Sequence, residues 1–480
     1  MSARLSDVCL VEQGLISAYG AGVAACADGL MSGRNAFTPA GNRFAAPLAA
    51  LPVGTVPRGV CATSSSPRFM ALLQTLFAGL VVPPDARVYL ATTVGEISAL
   101  ESEVMTQNGF SPAQRHADGA DVLTRLPQRL AGLLGIDVSR VQVISSACAS
   151  STLALSLGAS AIHRGEITCA LVVGCDAVSE FVLSGFAALM AIDADGAKPF
   201  DADRRGVTLG EAAAFALLMS RERAASEGRA RLGLVCGWGA TCDANHLTGP
   251  SRDGLPLSDA VEAALRMAAC AAKDVVAVCA HGTGTVYNDQ MEMLAFKRVF
   301  GGRPVPLFSV KGGMGHTLGA SGLAEVLLSL EFLRRGQLPP TVGLRRVSED
   351  ARGWATTQAR PVSSTGVMLT TNSGFGGTNA AVALSVADIS QAAREGRRGQ
   401  TMRVAGLGRA TSQETAPEMA PFVMPRNFGR FSAEARLAFY AVSRALRAAG
   451  VNPAGTGARV GIVAFDRDGL VQQHPYPQIF

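Results

Sequence analysis

The chain has 480 residues, of which 48% are apolar and 17% charged, with 53 glycines. That balance excludes a disordered or coiled-coil protein and fits a packed α/β protein in which backbones approach closely. The net charge of +5 is concentrated at the end, because residues 391–480 hold 12 Arg against 6 acids and leave 31 basic and 32 acidic residues in 1–390. The body therefore lacks the basic surface that nucleic-acid binding needs, and the Arg-rich end, without Lys, reads as a solvated helix face.

Taken in chain order, the start MSARLSDVCLVEQG has no apolar leader core, and every apolar run breaks before the ~18 residues of a membrane span. A soluble cytoplasmic protein with no membrane span is expected. Strands are predicted at 88–94, 141–145, 169–174, 277–282, 307–312 and 367–374, with helices at 149–164, 257–272, 288–299 and 318–335. This alternation predicts a largely parallel sheet covered by helices. There is no GxxxxGK[ST] loop, and GGMGHTLGASG at 312–322 has the wrong spacing for a dinucleotide fingerprint. After a polar joint at 391–401, MRVAGLGRAT, an RF-initiated helix and ARVGIVAF repeat the order of strand, RF helix and ARV strand found near the N-terminus.

The ten cysteines include no CxxC pair and the six histidines no ligand spacing, so no metal site is expected. Most of the cysteines sit in apolar runs and read as small buried hydrophobes. Cys148 differs: in VQVISSACASS it stands where a strand gives way to a helix, among small residues that let a substrate reach the backbone. The helix N-terminus there favours a thiolate. His281, in AHGTGT, and His316, in SVKGGMGHTLGASGLAE, also follow strands directly. A cysteine at such a junction more often packs than reacts, and a histidine in a glycine-rich turn is as often structural as catalytic. Together, a Cys and two His beyond strand ends are the parts that thioester chemistry requires.

With these residues in place, the sequence resembles the β-ketoacyl-acyl carrier protein synthases of the thiolase-like superfamily, in the group with a Cys–His–His site. The blocks run in family order: SSACASS around Cys148, KPFDADRRGVTLGEAAA at 198–214, AHGTGTVYNDQME at 280–292, SVKGGMGHTLGASGLAE at 309–325 and NSGFGGTNAAVAL at 372–384. The resemblance implies an α/β fold of the thiolase-like, five-layered αβαβα type with duplicated halves. The first half would occupy 1–235 and carry the nucleophile, and the second would occupy 236–390 and carry both histidines. A linker at 391–401 and a partial synthase-like α/β segment at 402–480 would follow. Cys148 would accept the acyl group, His281 and His316 would act on the malonyl group, and Lys311 and Glu325 would form a supporting charged pair. Phe375 would gate the acyl pocket, with its N–H and that of Cys148 as oxyanion donors.

Several further residues take roles in this reading. Thr283 and Thr285 offer hydroxyls to the malonyl or phosphopantetheine arm, or else only strand-end hydrogen bonds. Gly374, Gly376 and Gly377 fit a turn where backbone passes close to substrate. Arg204 and Arg205 could meet an acidic carrier protein, or form ordinary ion pairs. Asp289 and Glu292 read as partners of a helix N-terminus. The implied reaction is a decarboxylating Claisen condensation of an acyl thioester with malonyl-acyl carrier protein, in fatty-acid or polyketide synthesis. It would need no cofactor beyond the carrier's phosphopantetheine, and the partners would be the acyl carrier protein and a second synthase-like subunit in a homodimer or heterodimer. A chain-length partner subunit and a Cys-dependent acyltransferase or hydrolase are the alternatives; the first lacks a working thiol and the second needs only one His. Two departures from the family mark a specialised synthase: Ala212 and Ala214 stand in place of a glycine pair, which questions the close packing there, and SSSP at 64–67 replaces a basic cluster.

Overall fold

The computed structural model describes residues 7–41, 44–61, 67–106, 123, 125–246, 248–355 and 357–388, together with the strand pair Ala464–Phe465 and Val471–Gln472. The chain divides into two units, Met1–Ala393 and Arg394–Phe480. The joint at 391–401 and the strand–helix–strand expected over 402–480 otherwise lie outside the described residues. Among the described residues no helix is long and apolar enough to cross a membrane.

In the first unit the elements run β1 (Val8–Ser17), α1 (Arg68–Leu76), β2 (Arg87–Ala91), β3 (Val141–Ile144), α2 (Ser150–His163), β4 (Cys169–Asp176), α3 (Glu180–Ala188) and β5 (Ala212–Ser220). They continue with β6 (Gly233–Cys242), α4 (Leu255–Ala268), β7 (Val275–Cys279), α5 (Val286–Val299), β8 (Leu307–Phe308), α6 (Ser321–Arg335), β9 (Val367–Gly374) and β10 (Thr378–Ser385). These ten strands lie on one path of an eleven-stranded sheet, in the order β8-β7-β9-β10-β6-β1-β5-β4-β2-β3, with the short strand Gly20–Ala21 paired to β1 off the path. Counted outward from the central antiparallel pair β6–β1, each side repeats one pattern: two antiparallel pairings, then two parallel ones. The sheet is thus mixed, with four of the nine pairings along this path parallel, where a largely parallel sheet was expected. The difference arises because β1, β5, β6 and β10, which supply the antiparallel pairings, are not marked by β-branched runs.

The strands are buried on both faces. In β4, Leu171, Val173 and Cys175 join an outer core with α1 and α4, whereas Ala170 and Val172 join an inner core with α2 and α6. Every residue of α6 from Ser321 to Leu333 is buried, as befits a helix in the central layer between the two half-sheets. Helices outside the half-sheets complete the five layers. Ala212 and Ala214 are fully buried on the inner face, so the methyl groups that stand in place of hydrogens are accommodated within the close packing.

Candidate active site

The loops at the strand ends of both halves meet around Cys148. Ala147, just before it, has a positive φ of 47°, which turns the chain sharply out of β3. Ser150 holds this turn, accepting from the Ser146 N–H at 2.8 Å and donating to the Ala147 carbonyl at 2.6 Å. The Thr93 hydroxyl donates to the same carbonyl at 3.2 Å. β9 passes alongside: a Cβ on Gly374 would stand 3.0 Å from the Ser146 carbonyl oxygen and 3.2 Å from the Cys148 nitrogen, so this approach needs glycine. Gly376 and Gly377, at φ 88° and 86°, make the turn from β9 to β10.

His281 follows β7, and its N–H and that of Gly282 both donate at 2.7 Å to the buried carboxylate of Glu292 on α5. His316 is pinned through its own backbone, donating to the Thr208 carbonyl at 2.7 Å and accepting from the Gly210 N–H at 2.9 Å. The two imidazoles stand edge to face with centroids 5.3 Å apart, and His316 Nε2 lies 2.9 Å from Cys148 Sγ. The sulfur and one nitrogen of each ring fall within 4.8 Å of one another, a spacing at which they could converge on one metal ion as readily as on one substrate oxygen.

The proton of His281 can be placed from its neighbours. Asn372 Nδ2 lies 2.9 Å from Glu325 Oε2 and 3.3 Å from His281 Nδ1. A carboxylate only accepts, so the amide's NH₂ side faces Glu325 and also donates to His281 Nδ1, while its Oδ1 accepts from Thr152 Oγ1. With Nδ1 accepting, a neutral His281 carries its proton on Nε2. Glu325 also receives the Lys311 ammonium, 2.5 Å away, and both side chains are fully buried. The charge of this pair's Lys311 is felt by both histidines.

Burial, reinforced by the charge of Lys311, holds both His281 and His316 well below the usual imidazole range of about 6.5, so both rings are neutral. Burial also lifts Glu292 to about 8, with Asp289 adding to the rise, and raises Glu325 against the pull of Lys311. The same effect pushes the Cys148 thiol up to about 12, with Lys311 opposing. Burial thus opposes the thiolate that the helix N-terminus was expected to favour.

A cavity of about 470 Å³ opens onto Cys148, walled by Thr93, Val94, Phe181, Val182, Phe186, Leu318 and Phe375 among others. Phe375, 38% exposed, stacks on Phe186 with centroids 5.5 Å apart. Thr283 and Thr285 lie beside His281, their hydroxyls 2.9 Å apart and bonded to each other. Of the two readings given for Arg204, the structure shows the ion pairing. Arg204 is 6% exposed and held by Asp289 at 3.6 Å and Asp350 at 3.5 Å, so it braces the base of α5 and is not a docking residue; Arg205 is exposed. Asp289 accepts from the N–H groups of Phe200 and Gly284, and Glu292 supports His281 itself, a closer role than partnering the helix end.

Sequence reasoning also passed over Asn372, Ser321 and Asp176. Ser321 Oγ lies 2.9 Å from His316 Nδ1. Asp176, at the end of β4, accepts from the Thr92 hydroxyl and from the N–H groups of Thr93, Val94 and Gly319, joining the loop after β2 to the segment after His316. Asn372 opens the NSGFGG block, and Ser321 lies in GHTLGASG, so their places were visible although their contacts were not.

Known proteins resemble the chain over the region that holds this site. The family description "Beta-ketoacyl synthase, N-terminal domain" matches residues 83–224, and "Beta-ketoacyl synthase, C-terminal domain" matches 232–345. Nodulation protein E of Rhizobium meliloti is 36% identical over 243 residues, 50% of this chain and 60% of the relative. The 3-oxoacyl-[acyl-carrier-protein] synthase 2 of the same species is 31% identical over 251 residues, 50% of this chain and 59% of the relative. The chain thus spans about 60% of the length of these Rhizobium relatives. Among solved structures, the ishigamide ketosynthase/chain length factor superposes with a TM-score of 0.71 at 27% identity, over 80% of this chain and all of that one. The two family descriptions together take in more than half of the residues and bracket Cys148, His281 and His316, and on that ground the chain belongs to the β-ketoacyl synthase family.

Proposed function

We propose that the chain catalyses the decarboxylating condensation of an acyl thioester with malonyl-acyl carrier protein, in fatty-acid or polyketide assembly. The observation that carries this reading is the convergence of two neutral imidazoles on one thiol that opens onto a mostly apolar cavity. In the first step the Cys148 sulfur attacks the acyl-carrier thioester. The oxyanion is met by the N–H groups of Cys148 and Phe375, and the carrier sulfur leaves with the proton that the thiol gives up. A malonyl thioester then places its carbonyl oxygen between His281 and His316. Loss of CO₂ puts the electron pair of the broken C–C bond into an enolate, which the two Nε2–H groups stabilise, and the enolate carbon attacks acyl-Cys148 and expels the sulfur as a thiolate, which takes a proton from solvent to restore the thiol. These steps involve no redox change and call on no metal; the phosphopantetheine arrives with the carrier. Lys311 and Glu325 hold Asn372, and Asn372 holds His281.

The ishigamide relative joins a ketosynthase with a chain length factor, and a synthase-like partner subunit is part of this proposal. Cys148 argues for the catalytic side of such a pair. The test is mass spectrometry after incubation with acyl-carrier thioesters, followed by malonyl-carrier. Acyl mass is expected on Cys148 alone and is expected to vanish in Cys148→Ser. His281→Ala and His316→Ala are each expected to load acyl groups yet lose CO₂ release by about 10²–10³. An acyl group mapped to Cys242 or Cys279, or parental CO₂ release in either histidine variant, would remove the corresponding role.

A further inference from the structure

The two imidazoles are held at Nδ1 by different chemistry. His281 meets an amide NH₂, which can only donate, so its tautomer is fixed. His316 meets the Ser321 hydroxyl at 2.9 Å, and a hydroxyl both donates and accepts. The choice therefore passes to the next group along: Ser321 Oγ lies 3.1 Å from Thr317 Oγ1, and Ser321 and Thr317 are 2% and 1% exposed. Among the described residues, Ser321 is the one partner of the Thr317 hydroxyl.

Two proton orders are available. In the first, Thr317 donates to Ser321, Ser321 donates to His316 Nδ1, and the ring proton sits on Nε2, facing the sulfur. In the second, Nδ1–H donates to Ser321 and Ser321 donates to Thr317. The buried Thr317 proton then has no acceptor, and a bare Nε2 lone pair faces any carbonyl oxygen brought to the site. Stranding a buried donor biases the balance by about tenfold or more toward the first order. We propose that Ser321, oriented by Thr317, is a positioning residue that keeps the proton of His316 on Nε2 once the sulfur of Cys148 is acylated. The inference rests on the proposed condensation for its purpose, though not for its geometry. Acylation matters because a free S–H can donate to Nε2 and compete with this order, whereas an acylated or alkylated sulfur has no proton to give.

The test uses the full-length chain, labelled with ¹⁵N-histidine in a Cys242→Ser background and alkylated at Cys148 with iodomethane, whose methyl group brings no donor of its own. Two-bond ¹H–¹⁵N spectra, assigned by the peak lost in His316→Asn, are expected to show a protonated, pyrrole-type Nε2 and a bare, pyridine-type Nδ1. Ser321→Ala, which removes the donor to Nδ1, is expected to shift His316 toward the opposite tautomer. Decarboxylation of malonyl-carrier should fall about tenfold in this variant. A protonated Nδ1 in the parent, or an unaltered nitrogen pattern in Ser321→Ala, overturns the proposal. If the nitrogen pattern shifts as expected while CO₂ release does not change, the tautomer assignment stands and the enolate role of His316 fails.

Discussion

His281 and His316 are neutral because the site is dry and because Lys311 stands behind them, and this fixes how they respond to pH. As pH falls through about 6.5 the unfolded chain takes up protons on these rings and the folded chain does not. Their contribution to stability is therefore fully present above that value and is lost below it. In the folded protein neither ring is expected to titrate between pH 6 and 8, so their ¹⁵N shifts should stay constant across that range. A shift of either ring with a midpoint near 6.5 would show that the site is wetter than its burial indicates. Cys148, His281 and His316 were legible in the sequence because each stands in a run of small residues just past a strand. Asn372, Ser321 and Asp176 were not, because their significance lies in a partner 91, 5 or 143 residues away and their residue types are common at turns.

At the level of elements, Asp176 ties the end of β4 to two loops at once. Burial lifts its carboxyl to about 6 while four donors pull the other way. In Asp176→Asn an NH₂ must replace one of the accepting oxygens, so at least one of the four donors meets another donor. The expected cost is about 2 kcal/mol in urea unfolding, with a loss of CO₂ release as the segment after His316 shifts; unchanged stability would show that the loops are held by other means. A second contact fixes the seat of α4. A Cβ on Gly239 of β6 would fall 2.1 Å from the Ala260 carbonyl oxygen and 2.7 Å from the Ala263 Cβ, so Gly239→Ala must push helix from strand. The same unfolding measurement is expected to show a loss of about 2–3 kcal/mol. These strands also mark where sequence reading ran out. AAAFALLMS in β5 carries no alternation because both of its faces are buried, and its alanines suit a helix as well as a strand. β6 is interrupted by the glycines its helix contact demands. The β-branched strands β2, β3, β4, β7 and β9 declared themselves, whereas the strand expected over 307–312 is only Leu307–Phe308, because Lys311–Met314 turns into a short helix; the inner helices α2 and α6 showed themselves by length and apolarity.

For the whole molecule, the first unit contains every strand of the large sheet and every residue of the candidate site. A chain ending at Ala393 is expected to stay soluble and to load acyl groups on Cys148 at the parental rate. Loss of soluble protein or of loading would show that residues 394–480 belong to the working enzyme. The duplicated order β1, β2, β3, β4, β5 against β6, β7, β8, β9, β10 was foreseen from the family resemblance, not from any internal repeat visible between 1 and 390. The antiparallel join of β1 to β6 at its centre could not be foreseen from strand patterns, since neither strand announces its partner.

The duplication also divides the labour. Both imidazoles, the ion pair and Asn372 come from the second half, whereas the cavity wall beside the sulfur is drawn mainly from the first, through Thr93, Val94 and the α3 residues Phe181, Val182 and Phe186. Two copies of one scaffold can then drift under different selection. If the proposed condensation holds, exchanges along α3 would alter which acyl groups fit and leave the enolate chemistry untouched, because among the described residues none of α3 holds either histidine. A lineage carrying this arrangement can acquire new products through changes in one repeat, while the other preserves the reaction that makes those products possible.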